Sequence, residues 1–179
     1  MKICLGSLKN KPIFCGNIPE TRPTKQRIRK CIFDVIQHRF FGDFSKISVL
    51  DGFSGTGVFG FEAISLGARF VQFAENDQAA AHSIARSIST LGIQDKCSLF
   101  VGDLLALKSA LGFDLIFLDP PYFHDLVAGA VRYLLLNNNI ETAKRKVGER
   151  SPPVSQTTHR DARGTTVVAT NRPFQRFLT

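Results

Sequence analysis

Four consecutive residues, Asp119-Pro120-Pro121-Tyr122, carry the densest set of chemical groups in the chain. They follow an almost unbroken apolar run, Phe113 to Leu118, of the kind expected for a buried parallel strand. Two prolines fix φ and remove two N–H donors, which leaves the carbonyls there free to accept. The Asp119 carboxylate and the Pro120 carbonyl can then accept hydrogen bonds from one and the same amino group. Tyr122 adds a flat face on which a planar base can stack, worth roughly 1–3 kcal/mol per base. An exocyclic –NH₂ held this way presents its lone pair to an electrophile, and positioning of that kind accelerates transfer without a strong base.

Upstream, Val49-Leu50-Asp51-Gly52-Phe53-Ser54-Gly55-Thr56-Gly57 reads as a strand, a glycine turn and a helix start. Open α/β sheets build nucleotide sites in that order, at the carboxyl end of a strand. Gly55 and Gly57 permit positive φ and a close approach of backbone N–H groups to a ligand. The helix opening near Gly57 favours a carboxylate or phosphate. Glu75 and Asp103 end the next two expected strands, so a parallel sheet would bring Asp51, Glu75 and Asp103 to one crevice. A carboxylate after the second strand can take both ribose hydroxyls of a nucleoside. One after the third can accept from an exocyclic adenine amine. The bland alternative for each is an ordinary cap or loop residue.

These residues need a scaffold, and the hydrophobic pattern supplies one. Residues 2–15 hold two short apolar pieces that suggest a small hairpin or two edge strands. Thr24 can cap a helix running to about Phe41, with Ile28, Cys31, Ile32, Val35, Ile36 and Phe40 as its buried stripe. From Ile47 strands and helices alternate: a helix from about Thr56 to Leu66 stopped by Gly67, a strand to Glu75, and a helix capped by Asp77 and closed by Gly92. A strand from Cys97, a short helix from Leu104 to Ala110, the strand ending at Leu118 and a helix from about Asp125 to Leu136 complete the series. Four successive βα units argue for a Rossmann-like α/β fold, a parallel sheet with helices on both faces. Beyond Leu136 the chain turns polar and basic, with one short β-like piece from Thr165 to Ala169. The sheet's further strand and closing hairpin are therefore expected to be missing or degenerate, and the segment poorly ordered.

The 179 residues divide into a basic extension (1–46), a core (47–136) and a basic tail (137–179). The first holds 10 Lys/Arg against 3 Asp/Glu, the core 5 against 9 and the tail 8 against 3. Basic flanks around an acidic centre suit a polyanion held at the ends while the middle does chemistry. Arg22, Lys25, Arg27, Arg29 and Lys30 crowd the start of the first helix, against its dipole, which points to phosphate contacts. The four cysteines form no Cys-x-x-Cys pair and read as reduced thiols, with no metal site expected. No apolar run reaches membrane-spanning length and no secretory leader is visible, so a cytoplasmic protein, most simply a monomer, is expected.

Taken together, Val-Leu-Asp-x-Phe-Ser-Gly-Thr-Gly, Glu75, Gly102-Asp103 and Asp-Pro-Pro-Tyr resemble a class I S-adenosylmethionine-dependent methyltransferase of the amino-methylating kind. Thr21-Arg22-Pro23-Thr24 with Arg27, Arg29 and Phe33, and Leu66-Gly67-Ala68, narrow the resemblance to the bacterial 16S rRNA guanine-N2 methyltransferase family. The resemblance covers residues 1–136. It implies that Asp51, Ser54, Gly55 and Gly57 surround the methionine part of the cofactor S-adenosyl-L-methionine, Glu75 holds the ribose and Asp103 sits by the adenine. It implies that Asp119, Pro120, Pro121 and Tyr122 form the catalytic clamp on an extruded guanine, whose extrusion costs a few kcal/mol. Arg22, Arg27 and Arg29 would contact rRNA, within the small ribosomal subunit. Gly52 stands where the family has a larger apolar residue and is expected to loosen the strand end. Two other readings stay open: an amino-methyltransferase acting on another nucleic-acid base, and a remnant of the family impaired by its aberrant tail.

Overall fold

A computed structural model describes residues 1–16, 23–107, 112–119, 156–160 and 166–170. Helix α1 (Pro23–Arg39) leads into β1 (Ser48–Gly52), α2 (Val58–Ser65), β2 (Phe70–Glu75), α3 (Gln78–Leu91), β3 (Cys97–Val101) and β4 (Leu115–Leu118). Two later strands, β5 (Gln156–Arg160) and β6 (Thr166–Thr170), complete a six-stranded sheet in the order β3-β2-β1-β4-β6-β5. The pairs β1/β2, β2/β3, β1/β4 and β4/β6 are parallel and β5/β6 is antiparallel. The α/β expectation therefore holds. Of the expected helix over 104–110 the described residues show a 3₁₀ turn at Leu104–Ala106, and the expected helix over 125–136 lies outside them.

The far edge corrects the expectation of missing strands. Thr166–Thr170 (Thr-Val-Val-Ala-Thr) lies parallel to β4, and Gln156–Arg160 closes the edge beside it. Their polar appearance misleads for a physical reason. β-branched Thr and Val favour the extended backbone, which suits Thr166–Thr170 to its place between β4 and β5, and only Gln156–Arg160 lies at the edge.

Helix α1 also departs from its expected form. It begins at Pro23, whose fixed φ and missing N–H suit a first helical position, so Thr24 lies inside the helix and is not its cap. Its buried stripe is Arg29, Ile32, Phe33 and Ile36, while Cys31 is exposed and Val35 is 70% exposed. The helix is rotated because Phe33, not Val35, packs inward. The Phe33 ring lies 5.5 Å from that of Phe117, which stacks on Phe59 at 5.0 Å. Three aromatic rings thus join α1, α2 and β4.

The N-terminal residues form a hairpin bridged at Lys2 and Pro12, with Ile3 and Ile13 in the same core cluster as Val49, Val71 and Phe117. A smaller cluster on the other sheet face gathers Leu50, Ala74, Leu104, Phe113, Ile116 and Leu118. Gly52 sits against this cluster. A β-carbon there would approach Leu118 to 2.9 Å and Leu104 to 3.0 Å, so the strand end is filled, not loosened. Among the described residues no helix is long and apolar enough to cross a membrane.

Candidate functional site

Four acidic residues stand along the carboxyl edge in the spatial order Asp103, Glu75, Asp51, Asp119, because β3, β2, β1 and β4 lie side by side and run the same way. Asp51 pairs in register with Phe73 and Phe117, so Glu75 and Asp119 follow two residues farther along on the same side of the pleat. At about 3.3 Å per residue, Asp51 is about 7 Å deeper than its neighbours. Asp51 and Glu75 are buried and Asp119 is exposed.

The Asp51 carboxylate accepts the Gly60 N–H at 2.9 Å and so caps the first turn of α2 from the strand beneath it. Burial pushes its pKa up to about 8. The Gly60 N–H works in the opposite direction, and the nearby Asp119 and Glu75 charges push it further up. Among the described residues no cation pairs with Asp51. Glu75 is engaged on both oxygens, by the Gly55 N–H at 2.6 Å and the Asp77 N–H at 2.8 Å. Each oxygen retains a further lone pair for a ligand hydroxyl. Asp103 is exposed and accepts the Leu105 N–H at 2.9 Å, capping the 3₁₀ turn.

Between these acids the loop curls tightly. Phe53, Gly55 and Gly57 have φ values of 58°, 55° and 71°, so every second residue is left-handed. Alternation of that kind curls backbone amides toward an anion, a place partly taken here by the Glu75 carboxylate. The two glycines serve different ends. A β-carbon at Gly57 would press on Phe61, Ile84 and Phe73, whereas one at Gly55 would meet nothing within 4 Å. Gly57 is needed for packing, and Gly55 borders open space. Ser54 donates its hydroxyl to the Asp51 carbonyl at 2.6 Å and accepts the Ala74 N–H at 3.1 Å, stitching the loop to β2. Phe53 bears a left-handed strain worth of order 1–3 kcal/mol, a cost that clusters at functional sites.

Pro120, Pro121, Tyr122 and Arg22 lie outside the described residues. Arg27 is exposed on α1, as a phosphate contact requires. Arg29 is not, and its expected role is corrected. It is 4% exposed, with Nε 2.9 Å from the Glu62 carboxylate and Nη2 donating to the Lys2 carbonyl at 2.9 Å. Glu62, fully buried, also accepts the Cys4 and Leu5 N–H groups at 2.8 and 3.0 Å. Sequence reasoning passed over Glu62; its one signal was a lone glutamate in the otherwise apolar α2, Val-Phe-Gly-Phe-Glu-Ala-Ile-Ser.

Comparison with known proteins agrees with this fold. The family described as conserved hypothetical protein 95 matches residues 1–162. Ribosomal RNA small subunit methyltransferase D of Buchnera aphidicola (subsp. Acyrthosiphon pisum) is 34% identical over 135 residues, 74% of this chain and 68% of that protein. The protein of the same name from Haemophilus influenzae is 30% identical over 148 residues, 77% of this chain and 72% of its own. Among solved structures, the yhhF protein of Escherichia coli superimposes with a TM-score of 0.67 at 24% identity over 89% of both chains.

Proposed function

The chain belongs to the conserved hypothetical protein 95 family, and on that premise we propose that it is an S-adenosylmethionine-dependent methyltransferase acting on the exocyclic N2 of a guanine in small-subunit rRNA, in the cytoplasm. The observation that carries this reading is the buried Asp51, which among the described residues has the Gly60 N–H but no cation as partner, in the strand that leads into the left-handed loop. A buried carboxylate with acidic neighbours and no cation suits a ligand that brings a positive charge. The amino-acid end of S-adenosylmethionine carries an ammonium.

Asp51 and the loop from Ser54 to Gly57 would hold that end, Glu75 the ribose hydroxyls and Asp103 the adenine amine. When bound, the cofactor supplies an electrophilic methyl on a sulfonium sulfur. Asp119 at the end of β4 and the carbonyl of Pro120 would accept the two N–H groups of the guanine amine. Tyr122 would stack on the extruded base. Burial keeps water from Asp51, which strengthens its hold on a cation relative to a surface pair.

The test has two stages. Cofactor at 100 times its dissociation constant should stabilise the protein by roughly 2.7 kcal/mol. Labelled methyl transfer is then compared on isolated small subunits, naked 16S rRNA and duplex DNA, with the product nucleoside identified by mass spectrometry. Transfer to DNA adenine, or cofactor binding with no transfer to any RNA, would overturn the assignment.

A further inference from the structure

Beyond the catalytic edge, the hairpin and α1 carry an unusual charge distribution, and we propose that their outer surface is a docking face for RNA phosphates, separate from the site that takes the reacting base. The inference rests on the reading above for its partner and on the structure for its residues. The first 16 residues contain Lys2, Lys9 and Lys11 and no Asp or Glu, and all three lysines are exposed. On α1, Arg27 and Lys30 are exposed on either side of the buried Arg29. The Arg29 guanidinium donates to the Lys2 carbonyl, so the hairpin and this turn of the helix lie side by side.

The buried pair sharpens the argument. Arg29 and Glu62 neutralise each other below the surface, so Glu62 offers no exposed negative charge to offset the cations above. Asp34 is the only exposed carboxylate that these two segments contribute among the described residues. Exposed cations elsewhere are differently placed: Lys46 faces Asp43, Lys96 adjoins Asp95, and Arg86 lies over the Phe14 ring at 3.9 Å. Asp34, four residues after Lys30, offsets one of these cations, and the remaining positive excess is what a phosphate backbone recognises, since each neutralised phosphate releases counterions.

The hairpin is anchored on the later half of α2. The Ser7 N–H donates to the Ser65 carbonyl at 2.8 Å and the Leu8 N–H to the Ser65 hydroxyl at 2.8 Å, while the ligand loop meets the same helix at Gly57 and Gly60. The docking face therefore grips RNA away from the reacting base. It contributes affinity and register without touching the chemistry.

The experiment uses the full chain with Lys2, Lys9, Lys11 and Lys30 changed together to Gln, and a control with Lys46, Arg86 and Lys96 changed to Gln. Binding to naked 16S rRNA and to small subunits is measured by filter retention as a function of salt, and cofactor binding by thermal shift. The first variant should lose at least tenfold in RNA affinity. The slope of log affinity against log salt should fall by about 3, given four lysines at roughly 0.7–0.9 per phosphate contact. The control should keep wild-type affinity and slope, and both variants should keep the cofactor shift. An unchanged slope, or equal losses in the two variants, would overturn the proposal. Loss on subunits with naked rRNA binding intact would overturn it in favour of a protein partner. Binding is read without turnover, so absence of methyl transfer would count against the proposed reaction and not against this face.

Discussion

Helix α2 meets two buried carboxylates that are treated in opposite ways. Its own Glu62 is surrounded by compensation: the Arg29 guanidinium on one side and two backbone N–H groups from the hairpin on another. Asp51, which reaches α2 from the strand beneath, receives one N–H and faces two further acids. Glu62 is a finished joint that welds the extension to the core. Asp51 is an unfinished one, whose missing partner is a cation that the described chain does not supply. Identical chemistry thus marks structure in one region and, on the proposed function, ligand binding in the other, and satisfaction of the charge tells them apart.

The most damaging way to probe this contrast is Glu62→Ala. It strands the buried Arg29 and two backbone donors, and should cost about 3–5 kcal/mol. Thermal unfolding should show a loss of about 6 to 20 °C, at 2–4 °C per kcal/mol for a chain of this size. Adding cofactor should not restore the interaction. A change below 1 °C would mean that the joint is not closed in solution.

Asp51→Asn should do the reverse. The amide can still accept from Gly60, so the fold survives, while cofactor affinity falls roughly 10- to 100-fold through loss of a charge-assisted contact worth about 1.5–3 kcal/mol. Calorimetric titration with S-adenosylmethionine measures it. At pH 9 the ligand-free variant should melt above the wild type, because the wild type there holds an ionised, buried carboxylate. A variant that binds cofactor normally would remove Asp51 from the site.

The pH dependence follows with its sign. The Asp51 pKa is raised in the folded state from 3.8 to about 8, so the folded protein keeps a proton that the unfolded chain releases. This group therefore lowers stability as pH rises from about 4 to 8, with a slope of up to about 1.4 kcal/mol per unit, and adds nothing further above 8. A bound ammonium favours the ionised form. Cofactor affinity should thus tighten between pH 6 and 8, and binding at pH 7 should release a proton detectable in buffers of different ionisation enthalpy. Asp51→Asn should abolish that release.

The smallest effect concerns the strand end. Gly52→Ala pushes a methyl against Leu118 and Leu104 and should cost about 1 kcal/mol, read as a lower denaturant midpoint. A higher midpoint would mean that the position is underpacked after all.

Much of the fold could be read directly along the chain. Gly67 and Gly92, with φ of 98° and 66°, end their helices as expected, and Asp77 caps α3 by accepting the Ala80 N–H at 2.7 Å. Asp51, Glu75 and Asp103 could be assigned to strand ends because parallel strands joined by helical crossovers share a carboxyl edge. Such features are local: a turn needs a particular residue at a particular place, and an apolar run has a period.

Tertiary structure decided the rest. Arg27 and Arg29 are two residues apart and indistinguishable by type, yet one is exposed and the other buried, because helical phase turns Arg29 toward a glutamate 33 positions away. Burial of Asp51 beneath α2, beside Asp119 and Glu75, raised its pKa, a relation that no spacing along the chain encodes. Long-range pairing made a strand of Gln156–Arg160, whose composition alone looks like a tail, and set the β-like piece Thr166–Thr170 beside β4. The sequence by itself determined which groups could do the chemistry. Burial and long-range pairing decided which of them remain available, because the cost of an uncompensated charge depends on what surrounds it and not on where it stands in the chain.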